Sequence, residues 1–168
     1  MISLHILNNK ALMSALLLNG DFDSFMLSSC SITTFTTFTI DGSWHPDFFK
    51  NTEPAHSSDS EYVPWDEVKG LCLSIIRGKN TPLKFKFIFA LPRCEISGFI
   101  SDRNLPVDPD DVYGLFFNLT FDGSDTFLST GTSLRTFSLD KSLEKDWDEF
   151  VADYFRKSSI ETEQPLTC

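Results

Sequence analysis

The sequence predicts an α+β fold, a mainly antiparallel sheet with helices packed on one face, and three observations lead there. Leu83, Phe85, Phe87, Phe89 and Leu91 alternate with Lys84, Lys86, Ile88 and Ala90, the period of a strand with one buried face. Val68, Leu71, Cys72, Ile75 and Ile76 recur at helical spacing just before it. A β-branched and aromatic run, Ile32-Thr33-Thr34-Phe35-Thr36-Thr37-Phe38-Thr39-Ile40-Asp41, has a counterpart in Gly131-Thr132-Ser133-Leu134-Arg135-Thr136-Phe137-Ser138-Leu139-Asp140, which suggests an internal duplication.

Taken in order, Ile2, Leu4 and Ile6 alternate with Ser3 and His5 and predict a short strand. Asn8-Asn9 can cap a helix over 9–18 that turns Leu12, Met13, Leu16 and Leu17 inward, and Asn19-Gly20 stops it. Residues 25–32 and 33–40 read as two strands, with no Gly or Pro between them. Asp41-Gly42 opens a long loop whose Trp44, Phe48 and Phe49 should dock, while its later proline, serine and acidic residues should stay at the surface.

Pro64-Trp65-Asp66-Glu67 suits a helix N-terminus, because proline has no N–H to lose there and acids complement the helix dipole; the helix spans 65–77. The lysine-bearing strand follows, and Pro92 starts a further helix that buries Ile96, Phe99 and Ile100. Tyr113, Leu115, Phe117, Leu119 and Phe121 line one face of the next strand, and Asp122-Gly123 turns it into an antiparallel partner over 127–139. Asp140 caps a last helix with an apolar stripe of Leu143, Trp147, Phe150, Val151 and Tyr154; 158–168 reads as a flexible tail.

This order is strand-helix-strand-strand-helix twice, so the expected organisation is a first half over 1–78, with an inserted loop at 42–64, and a second half over 79–157, related by a pseudo-two-fold axis. Trp65-Asp66-Glu67-Val68 and Trp147-Asp148-Glu149-Phe150 fall at matching places near the two helix starts. The motifs Ser31-Ile32-Thr33-Thr34-Phe35-Thr36-Thr37-Phe38-Thr39-Ile40-Asp41-Gly42, Arg77-Gly78-Lys79-Asn80-Thr81-Pro82-Leu83 and Gly131-Thr132-Ser133-Leu134-Arg135-Thr136-Phe137 are similar to those of an uncharacterised bacterial family catalogued only as a domain of unknown function. That resemblance spans most of the chain and implies no activity. The element order also loosely resembles the duplicated TATA-binding-protein saddle and sliding-clamp folds, a likeness of fold and not of function.

A chain of 168 residues can bury roughly 70% of its unfolded surface and needs no staples. Its four cysteines contain no C-x-x-C pair and lie at no ligand spacing from the three histidines, which predicts buried free thiols of a reducing cytoplasm, no metal and no cofactor. No export segment or membrane-spanning run is expected. The net charge of −10 disfavours nucleic acid, although it divides into +6 over 68–94 and −16 elsewhere. The six cations are Lys69, Arg77, Lys79, Lys84, Lys86 and Arg93, the site of any local anion contact.

The expected function is therefore a binding or assembly module whose partner is another protein or a second copy of the chain. Its predicted surface is the hydroxyl-rich side of the sheet, Thr33, Phe35, Thr37 and Thr39, with Thr132, Leu134, Thr136 and Ser138 as the second copy. Lys84, Lys86, Phe116 and Asn118 join it from neighbouring strands, and the 44–62 loop, with Trp44 as a contact residue, supplies partner specificity. Two alternatives stand beside it: a nucleic-acid-binding saddle or clamp, and a metal-assisted enzyme using Asp41, His45 and Asp47 as ligands or as acid and base. No Gly-rich phosphate loop, nucleophile elbow or H-E-x-x-H motif supports catalysis, so an enzyme is the less expected reading.

Overall fold

In a computed structural model of the chain, residues 1–49, 51–52 and 60–165 are described. Among them, β1 (Ser3–Ile6), β2 (Met26–Thr33), β3 (Thr37–Asp41), β4 (Val63–Pro64), β5 (Lys84–Ala90), β6 (Val112–Phe121), β7 (Thr126–Leu134) and β8 (Thr162–Glu163) make one sheet. The strand order is β3-β2-β5-β6-β7-β1-β8, with β4 beside the start of β2, and every pairing is antiparallel. The helices are α1 (Asn9–Met13), which runs on as a π turn over Ser14–Leu18, α2 (Trp65–Ile76), α3 (Arg93–Asp102) and α4 (Ser142–Lys157). None is long and apolar enough to cross a membrane among the described residues.

Alternation decides which face of the sheet the helices cover. Leu4, Ile6, Leu27, Ile32, Phe85, Phe87, Phe89, Leu115, Phe117, Leu119 and Leu128 all point the same way and are at most 9% exposed. Trp65 at the head of α2 sets its ring edge on Phe87 and Phe89, at 5.6 and 5.1 Å, while its indole N–H donates to the Leu16 carbonyl. From α4, Trp147 donates to the Phe116 carbonyl and Phe155 meets Phe117 edge-on at 5.6 Å. Each fully buried Phe in this layer contributes about 1.5–3 kcal/mol by leaving water.

Between helices and sheet, Phe22 is fully buried and touches Phe25, Phe89, Phe117, Tyr154 and Phe155 with ring centroids 5.2–6.4 Å apart. It belongs to no regular element, and Asp21 and Asp23 on either side hide it from a periodicity argument. The Tyr154 hydroxyl holds this loop by donating to the Asp21 carbonyl, and Lys69 reaches the Asp23 carboxylate at 2.7 Å.

Several expectations are changed by the structure. The run from Thr33 to Asp41 is not one strand: Thr33 ends β2, residues 34–36 turn, closed by the Thr34 N–H on the Thr36 carbonyl, and β3 begins at Thr37. Its counterpart likewise leaves the sheet at Leu134, so 135–140 are irregular. A bulge between Val112 and Gly114 turns Val112 into the core and leaves Tyr113 55% exposed, under the Arg135 guanidinium at 4.8 Å.

The two stretches keep their element order but not their neighbours, since β5 sits between β2 and β6 whereas β1 lies between β7 and β8. Trp65 is the first residue of α2, while Trp147 falls in the second turn of α4. The expected tail is ordered over 158–165: Ile160 is buried, and β8 pairs His5 with Glu163 on β1. Residues 166–168 lie outside the described residues. Of the cysteines, Cys30 and Cys72 are buried as expected, with sulfurs 3.9 Å apart, but Cys94 is exposed on α3 because it lies on the helix side opposite Ile96 and Ile100.

Candidate functional site

The face of the sheet opposite the helices carries the residues that the sequence singles out. Thr33 stands opposite Lys84 and Thr37, and Ser31 stands opposite Lys86 and Thr39. Lys86 continues to Thr120, Ile88 to Asn118, and Asn118 to Ser129, whose hydroxyl accepts from its amide at 3.3 Å. Ala90 ends the row opposite Phe116. Antiparallel pairing thus brings Thr33, Thr37, Thr39, Lys84, Lys86, Phe116 and Asn118 onto one surface.

The turn and the second copy are placed differently. Phe35 is at the tip of the 34–36 turn, 92% exposed, with its ring edge-on to Phe38 at 5.7 Å. Thr132 lies opposite Leu115 and therefore faces the helices, beside Glu144 and Asp148 of α4. Thr136 is beyond the end of β7. On β7 the open face is formed by Phe127, Ser129, Gly131 and Ser133, the other parity of the strand.

Of the three loop aromatics expected to dock, Trp44 and Phe49 are half-buried and Phe48 is not. Trp44 stacks on Phe49 at 5.3 Å, its backbone N–H donates to the Glu61 carbonyl, and Ser43 pairs with Tyr62. Pro46–Phe49 form a 3-10 turn that leaves Phe48 85% exposed. Residues 50 and 53–59, where the later part of the loop was expected at the surface, lie outside the described residues.

Tyr62 was not anticipated as part of the site. Its ring lies 6.3 Å from that of Phe116, and with Met26 and Ala90 it lines a small cavity at one end of the open face. Burial raises its phenol above the ordinary value. Only the pairing of β4 with β2, and of β2, β5 and β6 in turn, puts those four residues together, so no local signal could have identified it.

Asp41, His45 and Asp47 are all exposed. The Asp41 carboxylate accepts from the Ser43 hydroxyl at 2.7 Å and the Ser43 N–H at 3.0 Å, and these bonds hold it below the usual carboxylate range. Its work is to close the turn after β3. Among the described residues, no three His, Cys, Asp or Glu side chains come together as a metal-binding group.

Two of the six cations of 68–94 are engaged elsewhere, and the other four lie toward the Phe35 end of the sheet. Lys69 is paired with Asp23, Arg93 donates to the Val112 and Pro109 carbonyls, and Arg77 and Lys79 lie near Phe35, which leaves Lys84 and Lys86 on the open face.

A family model described as a family of unknown function (DUF5721) matches residues 15–163. No curated protein and no solved structure matches the chain.

Proposed function

The chain belongs to DUF5721, a family described only as of unknown function, and from its own surfaces we propose that it is a protein-binding or assembly module working through the open face of its sheet. One observation carries this reading: Thr33, Thr37, Thr39, Lys84, Lys86, Phe116 and Asn118 converge on a face that no helix covers among the described residues. Short hydroxyls, an amide, two ammonium groups and an aromatic ring offer hydrogen-bond donors, acceptors and apolar contact to an extended partner. Tyr62 walls one end of that face beside Phe116, and the loop it ends, tied to Trp44 through the Glu61 carbonyl, sets which partner fits.

Photo-crosslinking in the native cell extract tests this, with a benzophenone amino acid at Asn118 on the open face or at Lys145, exposed on α4. Asn118 is expected to yield discrete covalent adducts that Lys145 does not. Identical adduct patterns from the two positions, or none from Asn118, would sink the reading.

The nucleic-acid alternative is disfavoured by the net charge of −10 and by the engagement of Lys69 and Arg93 with Asp23 and main-chain carbonyls, which leaves Arg77, Lys79, Lys84 and Lys86 as its only basic groups from 68–94. Catalysis at Asp41, His45 and Asp47 is disfavoured by the engagement of Asp41 with Ser43.

A further inference from the structure

The two outer edges of the sheet are built differently. At one, β8 is two residues long, contains Glu163 and is followed at once by Gln164 and Pro165. Short length, charge and proline are the features that keep a sheet edge from pairing with another chain. At the other, β3 spans five residues, all exposed or half-buried, and has no lysine, proline or bulge. No charged residue occurs over 24–40; Asp41 is the first.

The hydrogen-bond parity of β3 shows which backbone groups this edge presents. The Thr34 N–H bonds the Thr36 carbonyl and the Gly42 N–H bonds the Ser28 carbonyl, so the intervening bonded pairs are Ile32 with Phe38 and Cys30 with Ile40. Thr37, Thr39 and Asp41 therefore turn their N–H and C=O groups away from β2. Beyond Gly42 the edge passes to β4, where Pro64 has no N–H to offer.

We infer that β3 is a homodimerisation edge, pairing antiparallel with β3 of a second copy about a two-fold axis at Thr39. In that register Thr39 exchanges both backbone bonds with the second copy's Thr39, and Thr37 does so with its Asp41. Phe38 meets the second Ile40 on the helix side. The strand's match to itself selects this occupant and this direction: antiparallel self-pairing sets each Asp41 opposite a threonine hydroxyl and each Phe38 opposite an Ile40, whereas parallel pairing would oppose the two carboxylates. The overall repulsion between two chains of −10 opposes the dimer, and the contact falls where the sequence carries no charge before Asp41. Closure follows from the other edge, since a dimer joined through β3 has only the blunt β8 edges outermost, and assembly stops at two.

This deepens the assembly reading, and because Thr39 gives its backbone to the edge and its side chain to the open face, an Asn118→Arg variant, on the face but three strands from β3, separates the two. It is expected to dimerise as the wild type does, and loss of the dimer there would place the contact on the face and overturn the inference. The full chain is examined by analytical ultracentrifugation over a range of concentrations and at low and high salt, with Thr39→Lys and Thr39→Asp variants checked for fold by circular dichroism. The wild type is expected to dimerise, more tightly at high salt as the repulsion is screened. Each variant, which opposes two like charges at the axis, is expected to raise the dimer dissociation constant on the order of tenfold or more, and an equimolar mixture of the two is expected to restore a dimer. A monomeric wild type under all conditions, variants that dimerise as the wild type does, a mixture that stays monomeric, or an open-ended polymer would each overturn the inference. None of these outcomes alters what Asn118 crosslinks to.

Discussion

His5 stands between two carboxylates: its Nε2 lies 2.9 Å from Asp125 and its Nδ1 3.2 Å from Glu163. Hydrogen bonds to Glu163 first and Asp125 second raise its pKa above 6.5. Protonation is thus favoured by folding, so the stabilisation is complete below the unfolded value and disappears as pH rises through the folded one. His5→Gln should lower the melting temperature at pH 5.5 and leave it nearly unchanged at pH 8.5; equal losses at both would show that packing, and not charge, is the role of the ring. His5 itself was visible in the sequence only as an outward residue of a short strand. Its partners come from the β6–β7 hairpin and from β8, far away in the chain, and no local pattern announces them. Phe22 makes the same point in the core: two aspartates flank it, yet five aromatic neighbours bury it, and Phe22→Ala should cost about 3–5 kcal/mol in a denaturant titration.

Elements show where local chemistry suffices. The Asn8 side chain accepts from the Ala11 N–H, as a helix start requires, whereas Asp140, expected to cap α4, closes a turn on the Ser142 N–H one residue ahead of the cap position, which Lys141 occupies without a side-chain bond. Asp122-Gly123 turns β6 into β7, with Gly123 at φ +103° and the Asp122 carboxylate accepting from the Ser124 and Asp125 N–H groups. Gly42 is under a different constraint, because a Cβ there would stand 1.8 Å from the Leu27 carbonyl oxygen. Gly42→Ala is therefore expected to push β3 away from β2 and cost about 3 kcal/mol, at the upper end of ordinary point substitutions. Hydrogen exchange provides the check: protection should fall in β3 first, and a variant as protected as the wild type would disprove the close approach. Gly42 was legible as a turn residue after Asp41, but not as the point where two backbones touch.

Over the whole molecule, the separation of charge is set by topology. Of the six cations of 68–94, Lys69 and Arg93 are held by Asp23 and by main-chain carbonyls, and the four that remain near Phe35 and on the open face stand against a chain of −10. The chain should therefore pass through a heparin column at about 50 mM salt, where a phosphate-tracking protein would be held. Retention that falls steeply with added salt would restore the nucleic-acid reading.

What the sequence by itself determined was the buried side of its most periodic elements and its plainest turn: the Phe85, Phe87 and Phe89 alternation, the Ile96, Phe99 and Ile100 face of α3, and Asp122-Gly123. Those follow from side-chain period and backbone preference within a few residues. The tertiary structure alone decided that β1 joins β7 and β8, that the chain reverses at 34–36 without Gly or Pro, and that Thr132 faces the helices while Thr33 faces away from them. Strand register and neighbour choice depend on contacts between distant segments, and a shift of one residue moves every side chain to the other face, so a repeated local pattern cannot say which surface its copies share.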